Sequence, residues 1–347
     1  MIGESGPFCF NADVPFSYDL VKPWFYLALG FGAESFLYFR WRESVNGEET
    51  HPAILPWTGR KSFVYDQIKA QMDEYASLPV SLARLPLEKG EVAIVHNAES
   101  HIYALTDAYA CQWKGLPDYQ FEVERNLHMA LIRRGVKVDL VQMSEDVDLS
   151  PYKGVFLAQS FTVPESVIGR LRDYVKTGGA VVAVNRFNFL ESHGFSIRSD
   201  VGPCGATDLF GIEIDDRRTL SYGDVEYAKP TTAAVVSNLA DTCFRGRPYV
   251  TRNHFGKGTA WYVTKVPTRD MCRAIVGEIM PCIGVSLKDE LPDNVFRLVR
   301  GDYVIVINFT EKLQTIAAER GERLMGDCDV KCQEMAIKPF SVSIWRN

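Results

Sequence analysis

The 347-residue chain has no apolar run long enough to span a bilayer. Nor does it open with the basic start, apolar stretch and small-residue cleavage site of a secretory signal, so a soluble, cytoplasmic protein is expected. It holds eight cysteines (Cys9, Cys111, Cys204, Cys243, Cys272, Cys282, Cys328 and Cys332), scattered and without CxxC spacing. That pattern excludes a disulfide-dense scaffold and a zinc ribbon, and it fits reduced thiols. Cys328 and Cys332 have no second ligand pair close in sequence, so no metal is expected. The six histidines lack the HxxxH spacing of a zinc helix; His96, His101, His128 and His193 read as capping or surface residues. Basic residues number 38 against 44 acidic ones, a net charge of −6, and they are spread along the chain. Without a basic cluster, neither nucleic acid nor an anionic membrane is an expected partner.

What the sequence does have is an ordinary globular make-up, 46% hydrophobic and 24% charged, with no low-complexity tract. The length exceeds what one core usually organises and predicts two or three domains. Residues 22–29 predict a short apolar helix, 35–41 an aromatic-rich strand and 59–78 a helix ending before Pro79. Strand, loop and helix in this order are units of a (β/α)8 barrel, present here only as its last quarter. The opening, Met-Ile-Gly-Glu-Ser-Gly-Pro-Phe, begins as though inside a structural element.

Beyond the Pro-containing stretch 85–90 the pattern alternates. Strands are predicted at 92–96, 136–141, 154–158, 180–184 and 259–263, and helices at 121–134, 164–176 and 269–280. Alternation of this kind implies a parallel sheet covered on both faces, in a flavodoxin-like arrangement. From about Asn294 the period changes to that of antiparallel strands. Residues 295–300 and 303–308 read as a hairpin turning at Gly301-Asp302, and 316–318 and 341–345 continue the alternation. The expected fold class is therefore α/β. A flavodoxin-like, class I amidotransferase-like parallel-sheet domain (86–290) follows the last strands and helices of a barrel (1–85) and precedes a small antiparallel β domain (291–347).

An amidotransferase-like architecture invites a search for a nucleophile. Gln159-Ser160-Phe161, after the third of these strands, lacks the Gly-x-Cys-x-Gly turn that exposes one, and nothing in sequence positions His254 or His101 as a base for Ser160. Gly178-Gly179 follows a helix instead of opening one, which argues against a phosphate cradle. No cofactor is expected.

The segment Phe36-Leu-Tyr-Phe-Arg-Trp-Arg-Glu-Ser-Val-Asn-Gly-Glu-Glu-Thr-His51 resembles the final barrel strand and following loop of glycoside hydrolase family 42, the β-galactosidases. Residues 93–100, 138–141, 149–153, 171–179 and 256–262 carry the resemblance along nearly the whole chain. It implies a catalytic barrel, an α/β trimerisation domain and a small β-sandwich. Met1-Ile-Gly-Glu4-Ser5 resembles the end of the seventh barrel strand, which makes Glu4 the candidate nucleophile. A retaining glycosidase needs such a carboxylate and a second carboxylic acid roughly 5 Å away to protonate the leaving oxygen. In the family the acid follows the fourth strand, a strand this sequence does not contain. Glu48 and His51, as Glu-x-x-His, match the pair that holds sugar hydroxyls. One position departs from the family: Ala12 stands where a sugar-stacking tryptophan is expected.

The resemblance thus implies an oligomerisation module, a homotrimer by family, that is not catalytic alone. The alternative is an active β-galactosidase, hydrolysing terminal β-galactosides when a separate barrel fragment supplies the acid/base glutamate in trans.

Overall fold

The computed structural model describes residues 2–5, 18–47, 53–79, 81–106, 119–158, 160–191, 196–220, 223–240, 243–326 and 328–347. Contacts divide the chain into two compact units. One combines Met1–Glu88 with Glu290–Asn347, and the other is Lys89–Asp289.

In the first unit β1 (Ile2–Ser5) pairs in parallel with β2 (Phe36–Tyr38), Ile2 opposite Phe36 and Ser5 opposite Tyr38. The connection between them carries α1 (Val21–Gly30), and α2 (Phe63–Ala76) follows β2. Ser62 caps α2 by accepting the Tyr65 N–H at 3.3 Å. β2 is shorter than the sequence suggests, because the chain leaves the strand after Tyr38.

The second unit runs β3 (Val92–His96), α3 (Ala98–Thr106), α4 (Tyr119–Arg133), β4 (Val138–Gln142), β5 (Gly154–Ala158), α5 (Glu165–Thr177) and β6 (Ala180–Val184). It continues through α6 (Thr207–Phe210), β7 (Ile212–Leu220), β8 (Gly223–Pro230), β9 (Ala234–Asn238), β10 (Pro248–Phe255), β11 (Gly258–Val263) and α7 (Arg269–Cys282). Seven strands form one sheet in the order β4-β3-β5-β6-β11-β10-β9. Neighbours from β4 to β11 are parallel, while β11-β10 and β10-β9 are antiparallel. The sheet is therefore mixed, where sequence alternation alone predicts a parallel one. The difference arises between β6 and β11, where a crossover helix is replaced by an excursion holding the separate hairpin β7–β8, the edge strand β9 and its neighbour β10.

Period-two alternation explains why the central strands read as unbroken apolar runs. Ile94, Phe156, Val182, Val184 and Trp261 face α4 and α7, against Leu127, Leu131, Ile275 and Ile279. Val95, Val155, Leu157, Val181 and Tyr262 face α5, against Ile168, Leu171 and Val175. Both faces being covered, no polar alternation survives. Gly258 is required where β11 begins, since a Cβ there would lie 2.1 Å from the Gly179 carbonyl oxygen, a backbone atom that cannot yield.

The chain then returns to the first unit as β12 (Val295–Arg300), β13 (Tyr303–Asn308), β14 (Gln314–Ala317), β15 (Glu322–Met325), β16 (Cys328–Lys331), β17 (Glu334–Ile337) and β18 (Val342–Arg346). β12-β13-β18-β15 form one antiparallel sheet and β14-β17-β16 another. The predicted hairpin is present, turning at Gly301 with φ +57°. β13 is buried on both sides. Ile305 and Ile307 pack with Phe25, Tyr26 and Leu29 of α1, and Val304 and Val306 pack with Ile316, Met335 and Ile337 of the second sheet.

Arg300 ties these pieces together. Only 2% exposed, it donates to the carbonyls of Leu29 (2.6 Å), Ala33 (2.9 Å), Ala83 (3.0 Å) and Leu85 (3.0 Å). A guanidinium has five donors in a fixed fork, so one side chain satisfies carbonyls at the C-terminus of α1 and in the Leu82–Leu85 turn together. Burial pulls its pKa below the ordinary arginine value.

Candidate functional site

Parallel pairing puts the carboxyl ends of β1 and β2 side by side, and Glu4 lies one residue from the end of β1. The chain leaving β2 is pinned at once. Ile54 N–H donates to Arg40 O (3.1 Å), Leu55 N–H to Trp41 O (2.8 Å) and Glu43 N–H to Leu55 O (2.9 Å), which makes Arg42 and Leu55 a parallel bridge. The loop between carries Glu48 and His51. Both lie outside the described residues, as does Ala12.

The pinned segment ends in a turn, with Gly59 N–H donating to Pro56 O at 2.8 Å and Gly59 at φ +71°. Arg42 Nη2 donates to Trp57 O (2.8 Å) and Trp57 N–H donates to Glu43 Oε2 (3.1 Å). Trp57 itself is 62% exposed. Gln71, 4% exposed, donates to the Tyr38 hydroxyl at 3.2 Å, and burial pushes the Tyr38 pKa up to about 12. Tyr38 is therefore a neutral phenol at any physiological pH.

In the second unit the polar groups gather at the carboxyl ends of the parallel strands, where open α/β sheets place their sites. His96, the last residue of β3, has Nδ1 2.9 and 3.1 Å from the two carboxylate oxygens of Glu124 on α4. The His101 ring centroid lies 5.7 Å from that of His96. Asn97 begins α3 by accepting the Ser100 N–H at 3.1 Å, and Ser100 Oγ accepts the Phe161 N–H at 2.8 Å. A carboxylate-oriented imidazole is the base half of a nucleophilic site. Among the described residues no serine or cysteine completes it.

The topology also separates Ser160 from His254. Ser160 is fully buried and follows the carboxyl end of β5. His254 pairs with Thr259, which is in register with Ala180 and, through it, with Gly154 at the amino ends of β6 and β5. A strand's length lies between them. An open groove of about 810 Å³, lined by Lys153, Arg170, Asp173 and Lys257 among others, also sits at those amino ends, away from His96.

A further buried carboxylate belongs to Glu226 on β8. Its Oε2 accepts from Tyr262 OH (2.8 Å), the Arg186 N–H (3.0 Å) and Asn185 Nδ2 (3.5 Å). Loss of hydration raises its pKa above the usual carboxylate range, and these donors offset only part of that rise. Sequence reading passes over Glu226, since it stands in a charged hairpin where a glutamate reads as solvated. It passes over Glu124 because a glutamate on an amphipathic helix reads as solvated. Among the described residues no group of three or more His, Cys, Asp or Glu side chains is arranged to hold a metal ion, and no helix is long and apolar enough to cross a membrane.

The sequence profile of the β-galactosidase trimerisation domain matches residues 90–286. The chain belongs to this family. The match spans the second unit from β3 to just beyond α7, and the expected kinship with family 42 β-galactosidases holds. The β-galactosidase Bga of Halorubrum lacusprofundi is 28% identical over 325 residues, covering 84% of this chain and 44% of Bga. BgaH of Haloferax lucentense is 26% identical over 340 residues, 93% of this chain and 49% of BgaH. The solved β-galactosidase of Halorubrum lacusprofundi superposes with a TM-score of 0.86 at 25% identity, over 99% of this chain and 52% of that one. The β-galactosidase of Bacillus circulans sp. alkalophilus, at 20% identity, shares the fold with a TM-score of 0.84 over 100% of this chain and 55% of its own. The chain spans about half the length of the curated relatives it matches.

Proposed function

We propose that this chain is the trimerisation and C-terminal part of a β-galactosidase-like retaining glycoside hydrolase, acting in a cytoplasmic homotrimer as an oligomerisation module without hydrolytic activity of its own. The observation that carries this reading is the coincidence of the trimerisation-family match, 90–286, with a unit that is compact and separately cored, Lys89–Asp289. The order of its five parallel strands (second, first, third, fourth, fifth) supports a flavodoxin-like reading of 86–290. Residues 1–85 are read as the end of a (β/α)8 barrel, on the parallel pair β1–β2 with α1 between them, and 291–347 as the C-terminal β domain.

Within this reading Glu4 is the nucleophile of a galactoside site, Glu48 and His51 hold the sugar hydroxyls, and no metal or cofactor takes part. Covalent displacement at an anomeric carbon by one carboxylate also needs a partner acid for the leaving group. The barrel strand that carries this acid in the family is not in this sequence. The chain alone is therefore expected to release no nitrophenol from nitrophenyl β-galactoside above a buffer blank. Turnover by the purified chain that Glu4→Gln abolishes contradicts the non-catalytic reading. Turnover that appears only when a second polypeptide carrying the acid is added supports the in-trans alternative.

A further inference from the structure

A cavity of about 720 Å³ opens within the first unit, lined by α1, α2 and the turn that joins β17 to β18. α2 contributes Gln67, Gln71 and Glu74, a stripe at i, i+4 and i+7, and Ala70 between them lacks the bulk to fill the space. Lys22 of α1 also lines it and pairs with Glu74 at 2.5 Å. The turn contributes Pro339 and Phe340.

Two features distinguish this cavity from an ordinary surface hollow. Gln71 is 4% exposed and its Nε2 donates to the Tyr38 hydroxyl, yet among the described residues no donor meets its amide oxygen. A buried amide with half of its hydrogen-bonding capacity unused is costly unless something entering the cavity completes it. The second feature is Phe340, whose backbone sits at φ +47°, a conformation a bulky residue seldom adopts. Its N–H donates to Thr310 O at 3.2 Å, and the Ser341 hydroxyl donates to Lys338 O at 2.7 Å, so the turn is held in this shape. Strain of this kind persists where the surroundings over-determine it, and it gathers at ligand sites. Here it keeps on the cavity wall an aromatic ring that meets no other ring among the described residues.

We infer that this cavity binds a neutral saccharide, one pyranose ring laying its C–H face on Phe340 and its hydroxyls on Gln67, Gln71 and Glu74. A sugar hydroxyl both donates and accepts, and two amides, a carboxylate and an ammonium group offer both roles. Lys22 and Glu74 already cancel one another, so the floor of the cavity selects a polyol over an ion. A phenyl ring suits the apolar face of a hexose, and the volume is that of a small-molecule site. The site shares no residue with the galactoside reading of Glu4, Glu48 and His51, and it lacks a pair of carboxylates for bond cleavage. It holds a sugar without hydrolysing it.

Calorimetric titration of the full chain with methyl β-galactoside and with methyl β-glucoside tests this. At least one of them is expected to bind with an affinity on the order of millimolar. Phe340→Gly should weaken that binding roughly tenfold or more, while melting no lower than wild type because glycine relaxes the positive φ. Gln67→Ala, an exposed change to a good helix former, should weaken it severalfold without loss of fold. Glu4→Gln should leave it unchanged. Binding that survives both Phe340→Gly and Gln67→Ala but is lost in Glu4→Gln places the sugar elsewhere and overturns the inference, with the galactoside reading left standing. No heat from the wild type with either glycoside overturns it outright.

Discussion

Arg300→Met is expected to destabilise the first unit by about 3 kcal/mol, because four carbonyls lose the guanidinium at once; those of Leu29 and Ala33 are buried, those of Ala83 and Leu85 partly so, and that of Leu29 keeps the Gly32 N–H. Methionine fills much of the volume, so the loss isolates hydrogen bonding from packing. Two of the carbonyls, Leu29 and Ala33, belong to the end of α1, where Gly32 at φ +98° turns the chain. The other two, Ala83 and Leu85, belong to the turn after α2. Without the guanidinium the segments are held to β12 mainly by apolar contact. Arg300→Lys keeps the charge but offers a point donor instead of a fork, and should fall between the two. Urea unfolding followed by hydrogen exchange of the α1 amides measures this, and a loss below about 1 kcal/mol would show that the carbonyls rehydrate.

Glu226 offers a second large effect, in which two substitutions are expected to part company. All three of its hydrogen bonds converge on one oxygen, Oε2. Glu226→Ala orphans the Tyr262 hydroxyl and the Arg186 N–H inside the core and leaves a void, at a cost of about 3 kcal/mol or more. Glu226→Gln can present its single carbonyl oxygen to the same three donors and is expected to cost little at neutral pH. The two should also differ from wild type in pH dependence. A carboxyl whose folded-state pKa is raised binds its proton more tightly when folded. The stability it contributes is then full below the unfolded-state value, near 4.3, and is lost as pH rises through the folded value. Glu226→Gln removes that component, so its melting temperature should fall less between acid and neutral pH than the wild type's. Parallel pH profiles would mean that Glu226 does not titrate differently on folding.

Much of this fold is legible in the sequence where a single signal dominates. The runs 92–96, 154–158 and 180–184 match their strands residue for residue, since strands buried on both faces are continuous apolar segments. The hairpin of β12 and β13 is equally plain. The hairpin β7–β8 is not. Ile212-Glu-Ile-Asp-Asp-Arg-Arg has two apolar positions and then four charges, because much of it pairs only with β8 and meets solvent. α6, four residues long, leaves no periodicity to read. For the site, the sequence points to Glu4, Glu48 and His51 through resemblance. It gives no sign of the contacts by which Arg42 and Glu43, fifteen and fourteen positions earlier, hold the backbone of Trp57.

Everything assigned to the second unit turns on association. Its family is defined by trimerisation, and three copies related by a three-fold axis require a heterologous contact that closes on itself. Sedimentation of the full chain across a micromolar concentration series therefore tests the account most directly. A dominant species at three times the 39.1 kDa chain mass is the predicted result. A single species at the chain mass throughout would contradict it.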